Sequence, residues 1–166
     1  MEKPIIIING TGGSGKDTLV SFCGESKRVL NISAVDKVKE AAKILVGWNG
    51  EKDEKARKML SDLKLLSVEY NDAPAKYILK KVDEFKESEE ELMFTHIRES
   101  SEIRKLKEAT GAKTLLVKNN RVAPIVTNVS DNDVENFEYD YIIGNNGTLE
   151  ELKDKATEFV DKLCKT

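Results

Sequence analysis

The sequence has 166 residues, of which 39% are hydrophobic and 34% are charged, and its net charge is −3. This length and composition predict one folded domain, residues 1–166, with a sizeable hydrophobic core. The acidic balance argues against binding to duplex nucleic acid, and the longest aliphatic run, Ile5 to Ile8, is too short to span a membrane.

The first third of the chain predicts two strands and two helices. We expect strands at 4–9 and 28–33, because both stretches are short and rich in β-branched residues. A helix should begin around residue 15 and end near residue 24, and a second should end at 47–50. The residues predicted to face inward are Leu19, Val20 and Phe22 in the first helix, and Val35, Val38, Ala41, Ala42 and Leu45 in the second.

The middle of the chain predicts two further helices and a third strand. The apolar stripes are Ala56, Met59, Leu60, Leu63 and Leu66 in one helix, and Tyr77, Ile78, Val82 and Phe85 in the next. The third strand is expected at 92–97. Ser101 can cap the following helix, with Glu102 in its first turn and Gly111 at its end.

The last third predicts two more strands and a final helix. Strands are expected at 114–117 and 139–143, separated by a loop-like stretch, 119–138, with helical signals only at 131–137. Thr148 and Glu151 form a capping box for a helix with the stripe Leu149, Leu152, Ala156, Phe159 and Leu163. This alternation predicts an α/β fold in which helices cover both faces of a five-stranded parallel sheet, a three-layer αβα arrangement.

Two observations bear on where the protein works. The chain starts with charged residues and a strand-like run, which does not resemble a signal peptide. Cys23 and Cys164 lack a CxxC spacing, so buried or idle thiols are favoured over a disulfide, which the sequence leaves open. We therefore expect a cytoplasmic protein. The sequence does not set its oligomeric state, and a homodimer is one option.

The stretch from Gly10 to Lys16 carries the main functional signal. It matches the pattern Gly-x-x-x-x-Gly-Lys and lies between a predicted strand and a predicted helix. Glycines let backbone N–H groups approach phosphate oxygens, the helix start is electropositive, and the lysine adds a full charge. A turn that merely joins strand to helix needs fewer glycines and no lysine. The predicted phosphate-binding residues are Gly10, Gly12, Gly13, Ser14, Gly15 and Lys16.

Asp17 stands where this loop pattern has Ser or Thr as a magnesium ligand. Thr18, which follows it, is a further predicted nucleotide-binding residue. The Asp17 carboxylate could hold Mg²⁺ directly or through water. Equally, an acidic residue here could only stabilise the first helical turn.

Four stretches resemble the P-loop nucleoside monophosphate kinase group, and most closely its deoxynucleoside monophosphate kinase branch. They are Gly-Ser-Gly-Lys-Asp-Thr at 13–18, Ile-Ser-Ala-Val-Asp-Lys-Val-Lys-Glu at 32–40, Gly-Trp-Asn-Gly-Glu-Lys-Asp-Glu-Lys-Ala-Arg-Lys-Met-Leu at 47–60, and Phe-Thr-His-Ile-Arg-Glu-Ser-Ser-Glu at 94–102. The resemblance implies a P-loop kinase fold and transfer of the ATP γ-phosphoryl group to a (deoxy)nucleoside monophosphate, with Mg²⁺. Lys16, Asp17 and Arg98 would then serve catalysis, and Asp36 and Arg57 would lie in the acceptor pocket.

Three further residues carry two interpretations each. Arg121 lies where a lid over the phosphates is expected, although a loop arginine commonly just faces water. Asn145, at the start of Asn-Asn-Gly, lies where related kinases hold the adenine edge, although such pairs also simply form turns. His96 replaces an acidic group of the family pattern, and it is either a poor substitute for a metal ligand or a structural residue.

The sequence leaves two other functions open. A kinase of a different phosphorylated metabolite, of the dephospho-coenzyme A or phosphomevalonate type, would share the P-loop. A nucleotide-binding module with little catalysis would fit the presence of His96 and the scarcity of arginines. In each case the expected partners are small molecules.

Overall fold

The structure, a computed structural model, describes residues 2–122 and 134–165. Its five strands are β1 (Ile5–Asn9), β2 (Val29–Ser33), β3 (Leu92–His96), β4 (Lys113–Lys118) and β5 (Tyr141–Gly144). They form one sheet in the order β2-β3-β1-β4-β5, and every neighbouring pair is parallel. The predicted parallel five-stranded sheet is confirmed.

Six α-helices lie within the described ranges: α1 (Lys16–Cys23), α2 (Asp36–Val46), α3 (Glu54–Asn71), α4 (Ala73–Glu87), α5 (Ser100–Thr110) and α6 (Leu149–Cys164). Helices α1 and α6 pack on one face of the sheet, and α4 and α5 pack on the other. Helix α3 packs on α4 and α2. The predicted three-layer αβα architecture is therefore confirmed.

The isoleucine run explains why β1 is central. Ile6 and Ile8 belong to the core under α1 and α6, whereas Ile5 and Ile7 belong to the core under α4 and α5. A strand whose two faces are both apolar is stable only between two helical layers. Because all the strands are parallel, the segments that follow β1, β2, β3, β4 and β5 meet at the carboxyl edge of the sheet, where ligands bind in such folds.

One predicted helix start is wrong. Helix α5 begins at Ser100, and its N-cap residue is Glu99, which has the extended backbone of a capping position (φ −77°, ψ 125°). Ser101 is therefore inside the first turn and does not cap it. The Glu99 side chain does not cap the helix either, since it is drawn to Lys64 by a salt bridge.

Four predicted stripe residues are exposed in the structure. Leu45, Leu66 and Leu149 are 69%, 62% and 64% exposed. Leu45 and Leu149 lie at the ends of α2 and α6, whereas Leu66 lies on α3, which packs mainly on α2 and α4. Ala41 of α2 is exposed as well. The capping box of Thr148 and Glu151 is present as predicted.

Other sequence expectations have simple outcomes. Both cysteines are free, so the disulfide alternative is wrong; Cys23 is buried, and burial raises the pKa of its thiol to about 11. The helical signal at 131–137 coincides with a short 3₁₀ helix at Val134–Asn136, and its earlier part lies outside the described residues. Within the described ranges, every helix is too short or too polar to cross a membrane.

Candidate functional site

The loop from Gly10 to Gly15, called the P-loop below, joins the end of β1 to the start of α1. Gly10 and Gly15 have φ angles of 153° and 102°, which disfavour any residue with a Cβ atom. A Cβ at Gly10 would lie 2.5 Å from the Val117 carbonyl oxygen, and one at Gly15 would collide with Nδ2 of Asn145. The glycines are therefore required by the path of the loop itself. Gly12 and Gly13 lie between them at the surface of the loop.

Lys16, the first residue of α1, folds back over this loop. Its Nζ atom donates hydrogen bonds to the carbonyl oxygens of Gly10 (2.6 Å) and Thr11 (3.1 Å). The ammonium group and the electropositive start of α1 thus point at the same small volume. That combination is suited to an anion with several oxygens, such as a polyphosphate.

Ser14 contributes a buried hydroxyl group to the same loop. The residue is 1% exposed, and its Oγ atom has no hydrogen-bond partner within the described part of the chain. A buried hydroxyl without a partner costs free energy. An anion seated in the P-loop would supply the missing acceptor, so this observation fits the phosphate group that the sequence predicts.

Asn145, directly after β5, is a brace for the P-loop. Its Nδ2 donates to the Ser14 carbonyl oxygen (2.9 Å), and its backbone N–H donates to the Lys118 carbonyl oxygen (2.7 Å). Through its side chain and its backbone, Asn145 thus links the loop after β5 to the P-loop and to the end of β4. Its predicted contact with an adenine edge stays a prediction.

Asp17 and His96 face each other at the carboxyl edge. His96 Nε2 lies 3.9 Å from Oδ1 of Asp17 and 2.9 Å from Oδ1 of Asn31. Burial lowers the pKa of His96 to about 4; the nearby charge of Asp17 opposes this shift and that of Lys16 adds to it. The ring is therefore neutral near pH 7, and the oxygen acceptor on Asn31 favours the tautomer with its proton on Nε2.

The carboxylate of Asp17 is the best placed metal ligand of this region. Its side chain is 94% exposed in the first turn of α1, beside Lys16, and Thr18 is half-buried behind it. A solvated carboxylate that faces a phosphate site suits Mg²⁺, which keeps much of its water shell. No group of three or more His, Cys, Asp or Glu side chains lies together in ranges 2–122 and 134–165, so Mg²⁺ would depend on phosphate oxygens as further ligands.

Asp36 lies just beyond β2 and is held in place by hydrogen bonds. Its Oδ2 accepts from the Ser33 backbone N–H (2.8 Å) and from the Tyr77 hydroxyl (3.2 Å). Burial and the charge of Asp36 raise the pKa of Tyr77 to about 12. The carboxyl group is thus fixed at the same sheet edge as the P-loop, as predicted from its position after a strand.

The three candidate arginines occupy different places. Arg98 lies two residues beyond β3 at the carboxyl edge, and its carbonyl oxygen accepts a hydrogen bond from Asn9. Arg121 donates from its guanidinium group to the Gly147 carbonyl oxygen (3.1 Å) in the loop after β5. Arg57 is exposed in the early part of α3. Arg98 and Arg121 thus lie on loops at the P-loop edge, and Arg57 belongs to the outer helices.

Sequence reasoning missed a buried cation at this end of the molecule. Lys64 of α3 has a side chain that is 10% exposed, and its Nζ contacts Glu99 (2.5 Å) and Glu102 (2.9 Å). Burial acts to raise the pKa of Glu99, but the charge and hydrogen bond of Lys64 hold it below its usual value. Burial raises the pKa of Glu102, against the opposing effect of Lys64. A lysine among the leucines of α3 was the available signal.

Sequence reasoning also missed Asn9, the last residue of β1. It is 1% exposed, and all of its side-chain polar atoms are hydrogen-bonded. The available signal was a polar residue that directly continues a run of four isoleucines.

No protein-family model matches this sequence, and no curated protein is significantly similar to it. Several solved structures share its fold. They include the Thermus thermophilus protein TT1252 (20% identity, TM-score 0.53, 98% of this chain and 99% of that chain), the tunicamycin resistance protein of Deinococcus radiodurans (14%, 0.52, 95% and 95%) and a sugar kinase from a Janibacter species (16%, 0.50, 96% and 95%).

Identities this low show a common fold alone. The chain has the P-loop kinase fold. This confirms the fold that the sequence resemblance implied, whereas the nucleoside monophosphate kinase branch stays a prediction.

Proposed function

We propose that this protein is a phosphotransferase that moves the γ-phosphoryl group of ATP to a nucleoside monophosphate or deoxynucleoside monophosphate. The observation that carries the proposal is the P-loop geometry. Lys16 Nζ lies over the Gly10 and Thr11 carbonyl oxygens at the start of α1, beside the buried and unpartnered Ser14 hydroxyl. Glycine-rich turns without a phosphate ligand have no need of either feature.

The chain's own residues would act by binding and charge neutralisation. The P-loop backbone and Lys16 would hold the β- and γ-phosphates, and Lys16 would move off the loop carbonyls onto phosphate oxygens. In the transfer an acceptor phosphate oxygen bonds to the γ-phosphorus as the bond to the bridging oxygen breaks, leaving ADP. Bound Mg²⁺ would neutralise phosphate charge, with Asp17 as its protein ligand.

The choice of a nucleoside monophosphate as acceptor rests on the resemblance of three segments, 32–40, 47–60 and 94–102. Two geometric facts support it. Asp36 is held by Ser33 and Tyr77 at the P-loop edge, where an acceptor must lie to reach the γ-phosphate. Arg98 also lies at that edge, and an arginine there could stabilise the charge of the transition state.

A nucleotide-binding module with little catalysis is the second candidate. The observation in its favour is that a neutral His96 faces Asp17 where the resembling kinases have an acidic group. Neutral imidazole is a poorer ligand for Mg²⁺ than a carboxylate.

The test is ADP release from ATP and Mg²⁺ with a panel of acceptors, run on the wild type and on Lys16→Ala. We expect turnover with a nucleoside monophosphate and a drop of at least ~100-fold in kcat for Lys16→Ala, because the ammonium group serves the transition state. The matched control is Lys86→Ala, which removes an exposed ammonium group paired with Asp83 on α4 and should leave kcat unchanged.

Three results would contradict the proposal in different ways. Wild-type rates in Lys16→Ala would remove the role given to the lysine. Turnover only with a non-nucleotide acceptor, such as dephospho-coenzyme A, would replace the acceptor class. ATP binding by calorimetry without turnover for any acceptor, unchanged in Arg98→Ala, would favour the binding module.

A further inference from the structure

Asn9 is a buried polar side chain at the point where β1 becomes the P-loop. An asparagine side chain has two N–H donors and one carbonyl acceptor. Its Oδ1 accepts from the Gly10 backbone N–H (2.9 Å), and its Nδ2 donates to the Arg98 carbonyl oxygen (3.1 Å) and to Tyr139 Oη (3.0 Å). Each polar group is thus used once, and no water is needed.

The three partners of Asn9 belong to three separate segments. Gly10 is the first residue of the P-loop, and its carbonyl oxygen is one of the two that hold Lys16 Nζ. Arg98 lies just after β3. Tyr139 precedes β5, and its hydroxyl in turn donates to the Val134 carbonyl oxygen (2.5 Å). One side chain therefore joins the phosphate loop to the backbone of the arginine that would meet the transferring group.

We propose that Asn9 is a positioning residue that fixes the P-loop and Arg98 relative to each other, with Tyr139 as its support. This inference rests on the proposed function, since it concerns the geometry of phosphoryl transfer. Phosphoryl transfer is mostly positioning and charge neutralisation, so a shift of under an ångström between the two groups reduces the rate. Asn9 need not touch either substrate to have this effect.

The three hydrogen bonds explain why position 9 is an asparagine. Leucine has nearly the same shape but offers no hydrogen bond to the buried Gly10 N–H or to the Arg98 carbonyl oxygen. Phenylalanine at position 139 keeps the ring, which stacks edge-on against Phe137, and removes only the hydroxyl. Asn9→Leu therefore removes all three bonds, whereas Tyr139→Phe removes only the one that the Tyr139 hydroxyl accepts.

The experiment measures kcat, the Kd for MgATP and the melting temperature for Asn9→Leu, Tyr139→Phe and the double variant. We expect kcat to fall about tenfold or more in Asn9→Leu, because neither the P-loop nor the backbone of Arg98 is then held by position 9. The loss should be smaller in Tyr139→Phe, which removes only the support of the Asn9 side chain. The double variant should match Asn9→Leu within about a factor of two, because both changes act on one network.

A matched control separates positioning from loss of stability. Val160 is buried in α6, about two turns beyond Leu152, whose side chain lies near Gly15, so Val160 is remote from Asn9, Arg98 and Tyr139. Val160→Ala should lower the melting temperature as the Asn9 variant does, through lost burial, yet keep wild-type kcat and Kd. If Asn9→Leu does not fold, Tyr139→Phe gives the answer with the same measurements.

The outcomes distinguish this inference from the proposed function. Wild-type protein that binds no MgATP would overturn both. A normal wild type with unchanged kcat in Asn9→Leu and Tyr139→Phe would overturn this inference alone, as would a loss of kcat in Val160→Ala equal to that in Asn9→Leu.

Discussion

At the scale of single residues, the candidate site consists of a small number of polar side chains, most of them fixed by hydrogen bonds. Lys16 lies over its own loop, Asp36 is fixed by Ser33 and Tyr77, and Asn145 braces Ser14. His96 differs from these because burial keeps it neutral in a charged neighbourhood. Its neutrality has a measurable effect on stability.

The free energy of unfolding should decrease as the pH falls, because His96 binds a proton more readily in the unfolded chain than in the folded one. The pKa of His96 is about 4 in the folded state, against 6.5 for a histidine that nothing perturbs. Its contribution is complete above pH 6.5 and is lost as the pH falls from there toward 4, because the unfolded state then binds more protons. We expect a loss of roughly 2 kcal/mol by pH 4.5.

Urea unfolding of wild type and His96→Gln at pH 7 and pH 4.5 measures this effect. The difference between the two proteins should change by that amount between the two pH values, since acidic groups elsewhere titrate in both. An identical pH dependence in the two proteins would show that His96 is not desolvated as described.

At the scale of elements, the sequence predicted where helices lie better than which of their residues are buried. Periodicity gave α4 its inward residues, because a single apolar stripe meets the sheet along most of that helix. It did less well for α3, where Ala56 is buried as predicted but Leu66 is exposed and the other buried residue is Lys64. Helix α3 packs mainly on α2 and α4, where a polar contact can replace an apolar one, and hydrophobic periodicity does not predict such a contact.

The Lys64 contact makes a strong prediction for α3. Lys64→Met leaves Glu99 and Glu102 close together without a cation, which should cost about 2–4 kcal/mol at pH 7.5. The loss should shrink toward pH 5, because protonation removes the repulsion and the uncompensated carboxylates have raised pKa values. Chemical denaturation at the two pH values is the measurement.

Lys58→Met is the control on the same helix. Its ammonium group pairs with Asp62 on the exposed surface, so the change should cost no more than about 0.5 kcal/mol at either pH. Equal losses for the two lysine variants would mean that the buried pairing adds nothing to the stability of α3.

At the scale of the whole molecule, the sheet order brings the site together. The alternation of strands and helices predicted a parallel sheet, but the order β2-β3-β1-β4-β5 depends on pairings between distant segments, such as Ile7 with Thr95 and Thr114. The P-loop could be predicted because its chemistry is local in sequence. Asn9, Tyr139 and Arg98 could not be joined from the sequence, because their contact exists only after three strands have assembled.

The central place of β1 predicts where the molecule is most sensitive. Ile7 is fully buried between α4, α5 and the two flanking strands, so Ile7→Ala should cost about 3 kcal/mol through lost burial and an unfilled cavity. Ile142 on edge strand β5 is 65% exposed, and Ile142→Ala should cost less than about 1 kcal/mol. Denaturation midpoints of the two variants test the contrast, and similar losses would contradict a core centred on β1.

The backbone conformation and close contacts at Gly10 and Gly15 predict which P-loop residues would be retained if the activity were lost. Gly10 is required by its close approach to the Val117 carbonyl oxygen and Gly15 by its φ angle of 102°, whether or not a nucleotide is present. A descendant that had lost its activity would therefore be expected to retain them for folding. Lys16 is not needed for the path of the loop, so mutation would remove it first. Among relatives of this protein, the lysine and not the glycines would therefore distinguish active from inactive members.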